Sequence, residues 1–204
     1  MNPKTESELL FEAFCTHHGL RWDPIATDTT PRPDYRLTVG NVSIAVEIKQ
    51  LDELVGFNPG GVSSRTPGQH VRAAIKSARN QIKWADQSNM PGLLIIYNAC
   101  DPWQIFGTEE HDFTMGMYGE LTANVSVVTG RYSTFFHGKN AKLRADDNMW
   151  FSGVGHLVRH ESGLPTLTVY ENVHAKHILP FEQLAPYVKV RRVEIEEVNP
   201  FPVP

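Results

Sequence analysis

Hydrophobic residues recur with the spacing of an α-helix in two parts of the chain. Residues 5 to 18 start at a polar cap, Thr5 or Ser7, and stop at Gly19, and one face of this segment carries Leu9, Leu10, Ala13, Phe14 and His17. Residues 69 to 86 hold the strongest helical pattern, formed by Val71, Ala74, Ile75, Ala78 and Ile82. The sequence predicts a helix in each segment.

Polar and apolar residues alternate along two neighbouring segments, as they do in β-strands. The segments are Tyr35 to Val39 and Val42 to Lys49, and Gly40-Asn41 between them has the residue types of a tight turn. The second strand places Val42, Ile44, Val46 and Ile48 on one face and Ser43, Ala45, Glu47 and Lys49 on the other. A hairpin is predicted, with the carboxylate and the amine as neighbours on the face opposite the aliphatic core.

The remaining segments are shorter or less regular. Extended pieces are predicted at 20–26, 93–97, 150–158, 167–170 and 188–198, and a short helix at 181–184. Loops are predicted at 27–33 and 55–69, and an extended proline-rich tail at 199–204. Residues 101 to 147 are irregular, with hairpin-like pieces near 125–129 and 132–137. This order favours an α/β fold with a central mixed β-sheet flanked by α-helices and an irregular, β-rich carboxyl-terminal half.

Composition narrows the class of protein without identifying its function. The chain has 204 residues, of which 41% are hydrophobic, so a single domain spanning residues 1 to 204 is expected. The net charge of -4 means that any nucleic-acid contact must come from a local basic surface. Two cysteines without metal-ligand spacing, no recognisable signal segment and no bilayer-length apolar run predict a cytoplasmic protein without membrane contact.

Two carboxylates and one amine are expected to meet at the hairpin. Asp34 stands just before the first hairpin strand, so antiparallel pairing brings it near Glu47. Two converging carboxylates suit a hard divalent cation, with the backbone carbonyl of Ile48 as a further ligand. Such a cation polarises a phosphodiester, while an ammonium such as Lys49 positions the attacking water and offsets developing charge. The pattern favours hydrolysis of phosphodiester bonds with Mg²⁺ or Mn²⁺ as cofactor.

Pro33-Asp34, followed by Glu47-Ile48-Lys49, resembles the signature of the PD-(D/E)XK nucleases, which have the restriction-endonuclease-like fold. The likeness covers about residues 5 to 98 through the order helix, hairpin, helix and strand, and residues 99 to 204 are interpreted as additional strands and insertions. The resemblance implies that Asp34 and Glu47 bind the metal and that Lys49 orients or activates the attacking water.

The resemblance also implies an acidic residue on the first helix as an accessory metal ligand and member of the catalytic set. Glu8 is the first candidate for this role, and Glu12 is the alternative because it lies one helical turn away on the same face. Gln50, next to Lys49, and Gln81, on the second predicted helix, are weaker candidates for contact with the phosphate or the site.

A basic stretch supplies the expected nucleic-acid contact. No acidic residue lies between Leu54 and Ala85, and this region carries Arg65, Arg72, Lys76, Arg79 and Lys83. The last four are spaced 4, 3 and 4 residues apart, so they form one stripe along the second predicted helix, where it could follow a phosphate backbone. DNA is the expected partner, with RNA as the alternative. Homodimerisation is expected from the resemblance alone, since no residue indicates it.

Two further interpretations of these residues stay open. In the first, Glu47 and Lys49 form only the solvated face of a hairpin, and Asp34 is a turn residue. In the second, the fold is kept without catalysis, as a nucleic-acid-binding or assembly module. Neutralising the basic stripe would then matter, whereas Lys49→Ala would not.

Other chemistry has weaker support. The histidine pairs His156/His160 and His174/His177 lack the glutamate of a zincin helix and any accompanying cysteine pair. Cys15 lies on the apparent buried side of the first helix, which favours packing over nucleophilic catalysis. Three tryptophans, Trp84, Trp103 and Trp150, could stack on bases, but tryptophans in a chain of this size are more often core residues.

Overall fold

Four helices and nine strands make up the described part of the chain in a computed structural model, which describes residues 3–26, 30–53, 64–131, 135–160 and 163–193. In chain order they are α1 (Glu6–His17), β1 (Arg21–Pro24), β2 (Tyr35–Val39), β3 (Val42–Leu51), α2 (Gln69–Gln87), β4 (Gly92–Asn98), α3 (Glu110–Tyr118), β5 (Glu120–Thr122), β6 (Phe136–Lys139), β7 (Phe151–Arg159), β8 (Pro165–Glu171), α4 (Phe181–Leu184) and β9 (Lys189–Arg191). The arrangement is α/β, as the sequence predicts.

A seven-stranded mixed sheet has the strand order β1-β2-β3-β4-β7-β8-β9. Its centre is parallel, because β3 pairs with β4 and β4 with β7 in the same direction. On one side, β2 runs antiparallel to both β1 and β3, and on the other side β8 runs antiparallel to β7. Parallel neighbouring strands need a crossover connection, and α2 provides it between β3 and β4. The carboxyl ends of β3, β4 and β7 therefore meet at one edge of the sheet.

Both faces of the sheet are covered by helices, and each face has its own hydrophobic core. The face covered by α1 packs around Phe11, Phe14, Ile44, Val46 and Ile95. The face covered by α2 and α3 packs around Ile75, Ala78, Leu94, Phe113 and Val154. The continuous apolar run of β4 follows from this, since a central parallel strand is buried on both sides.

Helix α1 begins as its sequence predicts. The Thr5 side chain accepts a hydrogen bond from the Glu8 backbone N–H, and the Glu8 carboxylate accepts one from the Thr5 backbone N–H. This reciprocal capping satisfies two backbone donors that the first turn leaves unpaired. Gly19 follows the helix with a φ of 64°, a left-handed conformation that glycine adopts at little cost.

The start of α2 depends on a close approach between two helices. Gly68 precedes it with a φ of 73°, and a Cβ built there would lie 2.6 Å from the backbone nitrogen of Gly116 on α3. A side chain at either position would separate the helices. Two glycines that are 48 residues apart thus allow α2 and α3 to pack backbone to backbone, a contact that no local pattern reveals.

The regular elements before residue 99, the two strands within 151–171 and the short helix at 181–184 are confirmed, with small differences at their ends. The strand predicted at 188–198 is formed only at Lys189–Arg191, and residues 194–198 lie outside the described residues. The interpretation of residues 101 to 147 was wrong in part, because Met115 to Tyr118 form the last turn of α3 and 125–129 form no strand. Of the second predicted piece, 132–137, residues 132–134 lie outside the described residues. Residue pairs between β5 and β6 do form a small antiparallel hairpin. The predicted tail 199–204 and most of the predicted loop 55–69 lie outside the described residues. Among the described helices, none has the length and apolar character needed to cross a membrane.

Candidate active site

Asp34 lies beside the carboxyl-terminal part of β3, beyond the point where β2 pairs with it. It precedes β2 directly, and its Oδ2 accepts a hydrogen bond of 2.7 Å from the Ile48 backbone N–H. Strand β2 ends its pairing at Tyr35, opposite Val46, so this N–H would otherwise lack a ladder partner. The N–H and C=O of a strand residue point to the same side, and the Ile48 carbonyl therefore faces the same edge as Asp34.

Glu47 and Lys49 lie on the face of β3 that α2 covers, as strand alternation requires. Oε1 of Glu47 is 2.6 Å from Nζ of Lys49. The Glu47 residue is only 2% exposed, whereas 28% of the Lys49 side chain is exposed. The expectation that this face is simply opposite the core needs correction, because α2 forms a second core over it. Glu47 is consequently a buried carboxylate rather than a surface one.

The electrostatics of the two carboxylates are those of acids crowded together away from water. The pKa of Glu47 is raised to about 7, because burial and the charge of Asp34 raise it more than Lys49 lowers it. Burial also raises the pKa of Asp34, against the lowering effects of the Ile48 N–H and Lys49. Both groups thus hold their negative charge at a cost, which a cation between them would offset.

The residues present fit a hard divalent cation. Oε2 of Glu47 is buried and has no hydrogen-bond partner of good geometry among the described residues. A buried carboxylate oxygen without a partner is costly, and beside Asp34 and a backbone carbonyl it belongs to an all-oxygen donor set. Mg²⁺ and Mn²⁺ prefer such ligands.

Glu8 and Glu12 project from α1 toward this region, but both carboxylates already have partners. Glu8 caps α1 through Thr5, and its charge is close enough to raise the pKa values of Asp34 and Tyr35. Glu12 accepts a hydrogen bond of 2.8 Å from the Tyr35 hydroxyl and pairs with Lys4 at 2.5 Å. Glu8 is therefore the acid whose charge reaches Asp34, while Glu12 binds the residue next to it.

The two glutamines occupy different surroundings. Gln50 lies on the α1 side of β3, where its Oε1 accepts a hydrogen bond from the Ser7 backbone N–H and its Nε2 donates to Asp52. It anchors the start of α1 and faces away from Glu47. Gln81 is half-buried on α2, three residues before Trp84.

Helix α2 separates the basic stripe from the Asp34 segment. Arg72 donates to the carbonyl oxygens of Met115 and Pro67, and Arg79 pairs with Asp147 at 2.8 Å. These contacts place the stripe on the flank of α2 that faces α3 and residues 144–150. On the other flank, the Trp84 ring lies 5.9 Å from the guanidinium of Arg32, two residues before Asp34.

The members of the stripe differ in how free they are to bind a ligand. Arg79 and Lys83 both lie 5.6 Å from the centre of the Trp150 ring. Lys76 is exposed, with its side chain on the open part of the helix. A stripe in this position can contact a nucleic acid only over the outer surface of α2 and its neighbour α3.

Arg65 is bound to an acidic cluster that the sequence reasoning did not find. Its guanidinium lies 2.5 Å from Oδ1 of Asp112, a fully buried residue. The same Oδ1 accepts a hydrogen bond from the Gly68 backbone N–H, and Oδ2 accepts one from the Glu109 backbone N–H. Glu109, His111 and Asp112 offer ligand atoms within 4.8 Å of one another. The cation already present is Arg65, so the geometry is that of a helix cap tied to α2. The spacing Glu109-x-x-Asp112 was the available signal.

Neither histidine pair forms a metal site among the described residues, where Glu109, His111 and Asp112 form the only group of three or more His, Cys, Asp or Glu side chains with metal-ligand spacing. His156 is buried against Phe113 and bonds to Gln104, and burial lowers its pKa to about 4. His177 bonds to Asp86 at 2.8 Å.

Cys15 is fully buried, as expected, and burial raises its pKa to about 12, which suits packing rather than nucleophilic chemistry.

Comparisons with family models, curated proteins and solved structures found no match to this chain.

Proposed function

We propose that the chain is a metal-dependent nuclease that hydrolyses phosphodiester bonds of DNA, with RNA as the alternative substrate, on a restriction-endonuclease-like fold. The observation that carries the proposal is the convergence of Asp34 and Glu47 at one end of β3, with Lys49 at 2.6 Å from Glu47. The resemblance of Pro33-Asp34 and Glu47-Ile48-Lys49 to the PD-(D/E)XK signature supports it.

Asp34, Glu47 and the Ile48 carbonyl would hold Mg²⁺ or Mn²⁺, with Glu8 as the acid on α1 whose charge acts on Asp34. When bound, the cation supplies concentrated positive charge against the phosphate oxygens. Two carboxylates at a site for a polyanion would otherwise repel it, so the charge of the cation is needed for binding as well as for the reaction.

Lys49 has the position and the charge to orient the attacking water at this site. Its ammonium is partly exposed at the rim while remaining paired with Glu47, so it can donate a hydrogen bond to a water molecule that attacks phosphorus. In that attack the new P–O bond forms from water, the bond to the sugar oxygen breaks, and the leaving oxygen takes a proton. The positive charge of Lys49 offsets the negative charge that develops on the phosphate.

The test is cleavage of labelled linear, circular and single-stranded DNA, and of single-stranded RNA, in the presence of Mg²⁺ or Mn²⁺. Lys49→Ala removes the ammonium, and we expect cleavage to fall at least about a hundredfold while binding is nearly kept, as for loss of a group that acts on developing charge. Lys189→Ala is the matched control, because Lys189 is an exposed lysine on the edge strand β9. It should cleave at the wild-type rate.

The outcomes separate the proposal from its competitors. Cleavage of a closed circle would identify an endonuclease, whereas cleavage of linear DNA alone would identify an enzyme that needs ends. Equal rates for Lys49→Ala and the wild type would contradict the proposed roles. If the wild type binds DNA in a salt-sensitive way without cutting any of these substrates, the nuclease proposal fails and the binding module takes its place.

A further inference from the structure

The loop between β4 and α3 exposes three large apolar side chains at its tip. Trp103 is 75% exposed, Ile105 46% and Phe106 47%. Among the three tryptophans that could stack on bases, Trp84 and Trp150 are half-buried with cations over their rings, so Trp103 is the one presented to solvent. Apolar residues grouped at such a tip indicate a binding role.

Buried polar groups hold this loop in one conformation. The Asp101 carboxylate is turned inward and accepts hydrogen bonds from the backbone N–H groups of Trp103, Ile105 and Phe106. Gln104 has a φ of 56° and donates to the carbonyl oxygens of Asn98 and Asp101. A non-glycine residue in the left-handed region persists only where its surroundings enforce it. The tip is therefore an apolar platform held in one conformation, with the Asp101 carboxylate buried beneath it.

The loop lies at the same edge of the sheet as the candidate active site. Cys100, its second residue, donates a hydrogen bond from Sγ to the carbonyl oxygen of Leu51, the last residue of β3. Leu51 is two residues beyond Lys49, a distance of about 7 Å along a strand. A nucleic-acid strand that is bound at Lys49 and continues toward the carboxyl end of β3 would pass the loop.

We infer that Trp103 stacks on an unpaired base of the nucleic-acid substrate, so that the nuclease acts on single-stranded or locally unpaired nucleic acid. This inference rests on the proposed function and names its substrate class. One indole matches one base, and stacking is open to every base because each has a π-face. The tip exposes at most about 500 Å² even if all three side chains are covered. That is well below the roughly 800 Å² per partner of a stable protein interface.

Binding is measured in the Lys49→Ala background with a fluorescently labelled single-stranded DNA oligonucleotide, in Mg²⁺. Its blunt duplex and an abasic version with the same phosphates are the comparison ligands. We expect Trp103→Ala to weaken single-strand binding about tenfold, with no change for the duplex or the abasic strand. Trp103→Phe should keep most of the affinity, because phenylalanine also stacks. Phe135→Ala is the control, because Phe135 is also an exposed aromatic residue, 67% exposed, and lies outside this loop. It should leave the affinity for all three ligands unchanged.

Several results would overturn the inference. The first is unchanged single-strand binding when Trp103 is replaced by alanine. The second is that the protein with Trp103 binds the abasic strand as tightly as the strand with bases. The third is that the wild type sediments as a dimer and Trp103→Ala as a monomer. The third would make the loop a contact between two copies. Cleavage by the Lys49→Ala background itself would instead count against the proposed function, so the two failures are distinguishable.

Discussion

Replacing Glu47 by glutamine should make the protein more stable at neutral and alkaline pH. Burial and the neighbouring Asp34 raise the pKa of Glu47 from its ordinary 4.5 to about 7. Each tenfold change in proton affinity corresponds to about 1.4 kcal/mol, so keeping this carboxylate charged in the folded state costs about 3 kcal/mol. Glutamine has nearly the same shape and carries no charge. The substitution also removes the ion pair with Lys49, and this loss lowers the free energy of unfolding only modestly because the Lys49 side chain is partly exposed to solvent.

The sign and the pH window follow from the direction of the shift. Because the folded protein binds this proton more tightly than the unfolded chain, stability is complete below pH 4.5 and is lost as the pH rises through 7. Glu47→Gln removes that dependence. We therefore expect the variant to exceed the wild type by roughly 2 kcal/mol at pH 8, after allowing for the lost ion pair, and to match it closely at pH 4.5.

Urea unfolding at the two pH values measures this difference, with Glu182→Gln as control because Glu182 is exposed on α4. Adding Mg²⁺ should raise the unfolding free energy of the wild type, as any ligand that binds only the folded state does, and should raise that of Glu47→Gln much less. A variant that is less stable than the wild type at pH 8, or a difference that does not change with pH, would refute the reasoning.

Three further predictions concern the buried ion pair of Arg65, the contact between α2 and α3, and the basic stripe. Asp112→Asn should lower the unfolding free energy by about 3 kcal/mol, because it removes the buried negative charge that pairs with Arg65; a loss below about 1 kcal/mol would contradict this. Gly68→Ala should cost clearly more in urea unfolding than Gly19→Ala, since both have positive φ but only at Gly68 would a Cβ meet backbone atoms; equal costs would count against the close helix contact. Neutralising Lys76, Arg79 and Lys83 together should reduce the salt slope of DNA binding by about 2 to 3, and an unchanged slope would exclude the stripe from the binding surface.

The hairpin could be predicted from the sequence because its information is local. Alternation in 42–49 determines which side chains share a face, and the position of Asp34 before β2 determines which part of β3 it meets. The same rule places Gln50 on the face of Ile48, away from Glu47, and the structure has it there. A strict use of strand alternation would have removed Gln50 from the candidate site.

The burial of Glu47 and the position of α3 could not be predicted in the same way. An alternating strand indicates one covered face, and nothing within 42–51 reveals that α2 covers the other. Helix α3 contains Gly116, which weakens a helical pattern, and its start depends on Asp112 meeting Arg65 across 47 residues of chain. Contacts of this kind depend on tertiary packing rather than on local periodicity.

The single-turnover rate of Mg²⁺-dependent DNA cleavage by the wild type and by Glu47→Gln would show whether the buried carboxylate pair takes part in the reaction. We expect that the variant, although more stable at pH 8, cleaves at least about a thousandfold more slowly, because it loses a charged ligand of the site. Cleavage by Glu47→Gln at the wild-type rate would contradict the account, since the buried carboxylate pair would then have no part in the reaction.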